Sequence, residues 1–170
     1  SGFGKLGALS DMDESHISDM IDLNCRALSL MCKLCIPYMH RGGHIINFAS
    51  AAAFCPQPWF AVYAATKSYV LSFSEALSEE LRSRGIVVTA VCPGPVRTEF
   101  FDIAEETEVI PLYKRMFMAD KAKVVRFALR DSRRGRRVSV YGGSMRALRL
   151  AAHILPSGVI FFFIRLINRR

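Results

Sequence analysis

Residues 50–67 read Ser-Ala-Ala-Ala-Phe-Cys-Pro-Gln-Pro-Trp-Phe-Ala-Val-Tyr-Ala-Ala-Thr-Lys. Ser50 ends an apolar run, residues 44–50 (HIINFAS), that follows a Gly-Gly turn and reads as a buried strand. Pro56 and Pro58 make the next stretch a loop. A helical pattern then covers about residues 62–84, with an apolar stripe at Tyr69, Val70, Phe73, Leu77 and Leu81 and Gly85 as its C-cap. Tyr63 and Lys67 stand four apart on that helix and therefore share a face. A phenol and an ammonium point the same way, and the Ser50 hydroxyl arrives from the strand end. Such a set suits moving a proton to or from a carbonyl or alcohol oxygen. A phenol ionises near pH 10. A positive charge one turn away favours its anion, so the pattern predicts a Tyr63 phenol held below its ordinary pKa. Taken alone, Y-x-x-x-K is a weak signal that an ordinary surface pair also satisfies.

Outward from this stretch, helix and strand patterns alternate. Upstream, Ile17, Met20, Ile21, Leu23, Leu28, Met31, Leu34 and Cys35 recur at helical spacing, capped near Asp11–Ser15 and stopped by Arg41-Gly42-Gly43. Asn24 interrupts this helix. A mid-helix asparagine is either a solvent-facing polar residue or a polar group at a kink aimed at the site. Downstream, residues 86–91 (IVVTAV) form a second buried strand that runs into the rigid turn Cys92-Pro93-Gly94-Pro95. Ligands of open α/β sheets bind at that carboxyl edge. Residues 100–119 have no clear period and read as a lid or substrate loop. Asp120 caps a helix through Arg130, and residues 137–141 (RVSVY) form a third strand closed by Gly142-Gly143. A last helical region starts at Met145, breaks at Pro156-Ser157-Gly158 and resumes to the end. The alternation predicts an α/β sandwich with a parallel sheet.

Composition sets the bounds. The 170 residues, 51% apolar and 22% charged, suit one globular domain. The net charge of +8 resides in the tail: from Ser132 onward there are nine arginines and no acidic residue. That imbalance points to an anionic surface or phosphate group near the C-terminus. Five scattered cysteines argue against a disulfide framework, and Cys32 and Cys35 read as a helix-core pair instead of a metal or redox site. His16, His40, His44 and His153 have no metal or triad spacing, so no metal is expected. No basic-then-apolar signal segment opens the chain, so the cytoplasm is the expected compartment.

The residues Ser50, Tyr63-Ala-Ala-Thr-Lys67, upstream Asn24 and Pro93-Gly94-Pro95-Val96-Arg97-Thr98 together resemble the short-chain dehydrogenase/reductase family. Ser1-Gly2-Phe3-Gly4 is similar to the end of that family's Asn-Asn-Ala-Gly loop. The match runs in register to about Tyr141 and is most similar to a bacterial subgroup with a basic, apolar C-terminal helix. The resemblance implies the C-terminal part of a Rossmann-like, doubly wound parallel sheet over residues 1–143, with residues 144–170 as a helical extension. It implies an oxidoreductase that interconverts a carbonyl and an alcohol by hydride transfer with NAD or NADP. Tyr63 would be the general acid/base, Ser50 would orient the carbonyl, and Asn24 would hold a relay water. Lys67 would bond the nicotinamide ribose with Tyr63, and Pro93, Gly94, Val96 and Thr98 would meet the nicotinamide. A homo-oligomer is expected, through the helices that carry Asn24 and Tyr63.

The departures from the family matter as much. Its opening strand, T-G-x-x-x-G-x-G turn and helix are not in the sequence, and Gly2, Gly4 and Gly7 do not replace them. Ser1 falls inside a motif, which predicts a truncated member. The alternative is a non-catalytic remnant that serves as an interaction or membrane-peripheral module. Phe54, Trp59, Phe100 and Phe101 flank the motifs and read either as a hydrophobic, acyl-type substrate pocket or as core packing. The run Val159–Ile164 is too short to span a bilayer. With Arg149, Arg165, Arg169 and Arg170 around it, it either packs on the protein or lies on an anionic inner-membrane surface. The basic tail has no stacking aromatics of a nucleic-acid motif, so no nucleic acid is expected.

Overall fold

The computed structural model describes residues 2–96 and 119–167. Thr98, Phe100 and Phe101, and the lid expected at 100–119 apart from Ala119, lie outside the described residues. Three parallel strands form one sheet in the order β1 (His44–Phe48), β2 (Val87–Val91) and β3 (Val138–Ser139). His44 pairs with Val87 and Phe48 with Val91, while Ala90 and Val91 pair with Val138 and Ser139. Parallel neighbours need a crossover, and helices supply both. They are α3 (Ala61–Glu80) between β1 and β2, and α4 (Lys121–Arg133) between β2 and β3.

The period of two along a strand sends alternate side chains to opposite faces. Ile45 and Val88 pack with Leu77 and Leu81 of the α3 side. His44 turns the other way, its Nδ1 2.9 Å from Ser132 Oγ of α4. A sheet covered on both faces explains why β2 tolerates no polar alternation and reads as a continuous apolar run. α4 starts where the sequence places it, with Asp120 Oδ1 accepting the Lys123 N–H at 2.9 Å. The third strand is shorter than its five-residue pattern, and the last two helices are α5 (Gly143–Ile154) and α6 (Ser157–Ile167).

The upstream helix departs most from its pattern. It runs as α1 (Glu14–Ile21), a π-helical segment Asp22–Ala27 and α2 (Leu28–Cys35). Its apolar residues divide: Met20 and Cys32 are buried, whereas Ile21, Leu23, Met31, Leu34 and Cys35 are exposed. Cys32 and Cys35 are therefore not a core pair. Three residues turn a helix through about 300°, which takes Cys35 off the buried face. Tyr69 of the expected α3 stripe is likewise exposed, with its hydroxyl 2.7 Å from Ser29 Oγ.

Candidate active site

Four of the expected site residues converge at the carboxyl end of β1. Ser50 sits one residue beyond Ala49, which follows the strand, in extended backbone, and its Oγ caps the short 3-10 turn Ala51–Phe54 by accepting the Ala52 N–H at 3.1 Å. The Ala51 N–H is bonded to the Pro93 carbonyl at 2.8 Å. This bond ties the Pro93-Gly94 turn to the Ser50 strand end. Tyr63 enters from the first turn of α3, 7% exposed, stacked on Phe60 with ring centroids 4.3 Å apart and hydrogen-bonded to the Ser50 side chain. Lys67, 4% exposed, passes over the face of the Tyr63 ring, with Nζ 5.6 Å from the centroid, and donates to the Phe48 carbonyl at 3.0 Å.

Asn24 resolves the choice left open by sequence. It is 2% exposed and lies inside the π-helical segment, a feature that often marks functional positions. Its Nδ2 donates to the Phe3 carbonyl at 2.9 Å and to Thr66 Oγ1 at 3.0 Å. Thr66 Oγ1 in turn donates to the Tyr63 carbonyl at 2.8 Å. Asn24 Oδ1 is buried with no hydrogen-bond partner among the described residues. An orphan acceptor at this depth fits a water or a ligand hydroxyl.

The N-terminal segment, a glycine-rich loop whose start resembles the end of the family's Asn-Asn-Ala-Gly loop, lies across this group. A Cβ on Gly2 would stand 2.6 Å from Asn24 Oδ1 and 2.8 Å from Lys67 Nζ. A Cβ on Gly4 would stand 2.8 Å from Tyr63 Cγ and nearer still to Cδ2. Phe3 and Leu6 pack with Met20, Phe60 and Tyr63, and the Gly7 N–H donates to the Trp59 carbonyl at 2.9 Å. Phe3, Gly4 and Thr66 lie inside the quoted motifs but were given no role there, and Phe60 lies outside them; all four are neighbours of the site. The available signal was the alternate glycines of Gly2-Phe3-Gly4, the spacing at which backbone can lie flat on a ring.

The remaining expected residues are placed as follows. Gly94 faces Met145 of α5, whose Sδ would be 2.7 Å from an added Cβ. Val96 bridges to Ala119. Phe54 is half-buried against Ala49, Val70, Cys92 and Val140. Trp59 is exposed, in left-handed backbone at φ 59°.

The electrostatics correct one expectation. Burial pushes the Tyr63 phenol up to about 12, with the Ser50 hydrogen bond opposing only in part. The ammonium stands 5.6 Å from the ring centroid, and desolvation is the largest influence on the phenol. Lys67 moves down, from 10.5 to about 8, because burial penalises its charge. That shift is worth about 3 kcal/mol. Below about pH 8 the penalty is fully present, since the lysine is charged in folded and unfolded chains alike. Between about 8 and 10.5 the folded chain sheds the proton first, and the penalty fades. Lys67→Met is therefore expected to raise unfolding free energy by about 2 kcal/mol at pH 7, after about 1 kcal/mol is lost with the Phe48 bond. The gain should shrink as pH climbs toward 10.5. A wild-type-minus-variant difference in urea titrations that stays flat over that range would contradict the buried charge.

Comparison with known proteins agrees with this geometry. The family model for short chain dehydrogenase matches residues 1–109. The very-long-chain 3-oxoacyl-CoA reductase-B of Danio rerio is 34% identical over 118 residues, covering 68% of this chain and 38% of that protein. The 17-beta-hydroxysteroid dehydrogenase type 3 of the same fish is 38% identical over 96 residues, 55% of this chain and 31% of that one. Among solved structures, a short-chain dehydrogenase from Sphingobium yanoikuyae in complex with NADPH superposes with TM-score 0.75 at 27% identity, over 95% of this chain and 62% of that chain. A 3-ketoacyl-(acyl-carrier-protein) reductase from Brucella melitensis, at TM-score 0.73 and 23% identity over 85% of this chain and 64% of that one, shares the fold. The chain spans roughly a third of the length of the curated relatives it matches. With the parallel sheet, the Ser50–Tyr63–Lys67 group and the family match over residues 1–109, the chain belongs to the short-chain dehydrogenase family.

Proposed function

We propose that this chain is part of an NAD(P)-dependent oxidoreductase that interconverts a carbonyl and an alcohol, with Tyr63 as the proton donor and acceptor. The observation that carries the reading is the Tyr63 phenol, bonded to Ser50 and kept protonated by burial. A neutral phenol in a closed site is suited to giving its proton to a carbonyl oxygen as that oxygen gains charge. Ser50 holds the oxygen, and the Lys67 charge steadies the phenolate left behind. Asn24, with its unpartnered Oδ1, fits the place where a relay water would be held.

The residues present fit the nicotinamide end of the cofactor. Lys67 has three N–H donors, and its bond to Phe48 leaves donors for ribose hydroxyls. Pro93, Gly94, Val96 and Thr98 would meet the nicotinamide, which when bound supplies the hydride. Phe54, Trp59, Phe100 and Phe101 would line the pocket of a hydrophobic or acyl-type substrate. Exposed Leu23, Leu30, Met31 and Leu34 on the Asn24 helix support self-association through that face.

The test is a titration of the chain with NADH and with NADPH, followed by nicotinamide fluorescence, then addition of an aliphatic ketone. Saturable binding of one nucleotide and loss of reduced nicotinamide on ketone addition are expected. Saturable binding with no turnover of any ketone or alcohol would count against the reaction assigned. No binding of either nucleotide would favour the non-catalytic remnant.

A further inference from the structure

The segment after Asp131 has no part in the Tyr63 group, yet its chemistry is one-sided. From Ser132 to Arg170 there are nine arginines and no carboxylate side chain. α5 and α6 leave Leu150, Ile154, Leu155, Val159 and Leu166 exposed, each between 38% and 67%. On α5, Leu150 and Ile154 lie one turn apart, with Arg146, Arg149 and His153 on the adjoining turns. Below α5 a cleft of about 410 Å³ opens between α4 and β3, lined by Arg136, Arg146, Arg149 and His153.

Asp131 lines this cleft and Glu75 reaches Arg149 from α3, so two of the arginines each have one loosely paired carboxylate. Arg136 Nε is 3.6 Å from Asp131 Oδ1, and Arg149 Nη2 is 3.7 Å from Glu75 Oε1, both beyond hydrogen-bond length. Among the described residues Arg146 donates Nε to the Val140 carbonyl, at 3.1 Å, with its guanidinium carbon 5.2 Å from the Phe127 ring centroid. A guanidinium has five N–H donors in a fork that matches phosphate oxygens.

We propose that α5, α6 and the arginine-lined cleft form a docking face for an anionic phospholipid surface. The exposed apolar side chains of the two helices enter the acyl boundary and the cleft takes a headgroup phosphate. Charge selects this occupant over a second copy of the chain, because two such faces, on which arginines outnumber the Asp131 and Glu75 carboxylates, would repel each other. Length selects lying on the surface over crossing it: α6 has 11 residues, and no helix among the described residues is long and apolar enough to span.

The test is flotation of the full chain with vesicles of phosphatidylcholine, alone or with about 30% phosphatidylglycerol. Binding at least ~10-fold stronger to the anionic vesicles, and lost in about 1 M salt, is expected. Leu150→Asp/Leu166→Asp should abolish it, and Arg136→Gln/Arg149→Gln should weaken it about 25-fold. Circular dichroism of each variant should match the wild type. Equal flotation on both vesicles, no flotation, or unaltered flotation of either variant would overturn the proposal. So would displacement by millimolar glycerol 3-phosphate, which would make a free phosphate ester the ligand. A dimer in light scattering that the leucine variant splits would assign the face to a second copy. Flotation needs no nucleotide, so its failure and failure of the hydride-transfer reading are separate results.

Discussion

Tyr63→Phe is expected to lower kcat for carbonyl reduction by about 10²–10⁴-fold, the usual weight of a general acid. The ring stays, so its stack on Phe60 and its packing against Met20 and Ala64 persist. Only the hydroxyl is lost, and with it the bond to Ser50. Nucleotide affinity, measured by fluorescence titration, should therefore move far less than turnover. A hydrogen bond of this kind contributes about 1 kcal/mol to stability, so the melting curve should shift little. A variant that turns over at the wild-type rate would remove Tyr63 from the reaction, whatever its burial.

Gly4→Val is expected to do comparable damage by a different route. Gly4 does not need glycine for its backbone angles, since its φ is not in the left-handed region. Its constraint is space: the added Cβ would lie 2.8 Å from Tyr63 Cγ. Either the N-terminal segment lifts, losing the Phe3 carbonyl bond to Asn24, or the Tyr63 ring swings from Ser50. Overpacking of this kind costs about 1–3 kcal/mol, and the displaced phenol should reduce turnover as well. Denaturant unfolding of Gly4→Val, Tyr63→Ala and the pair gives the decisive number. A clash between these two residues predicts that the pair is more stable than the sum of the single losses. Simple additivity would place the segment elsewhere.

Strands and helices were legible where periodicity was strong. β2 follows its apolar pattern because it is covered on both faces, whereas β1, expected to be buried, is only partly covered, with Phe48 exposed, and the α3 stripe is buried at Val70 and Leu77 but not at Tyr69. The π-helical turn was not legible, since one extra residue per turn barely disturbs a pattern of 3.6; only Asn24 signalled that something local differed. The division of Met20 and Cys32 from Ile21, Met31 and Leu34 was also hidden. An apolar residue does not state whether its partner lies in the same chain. At the site, Ser50, Tyr63 and Lys67 were readable as a set, but the direction of the phenol shift was not. Sequence reveals a neighbouring charge, whereas desolvation depends on how completely Phe60, Phe3 and Leu6 close over the ring.

Trp59 is the chain's single tryptophan. It stands in left-handed backbone, a conformation that costs a non-glycine residue of order 1 kcal/mol, and its carbonyl accepts the N–H of Gly7. Four residues on is Tyr63. The indole thus sits where the N-terminal segment meets the helix that carries Tyr63, half in water. Tryptophan emission of this chain is a one-site spectroscopic label, tied through its own backbone to Gly7 of the segment that lies over the phenol.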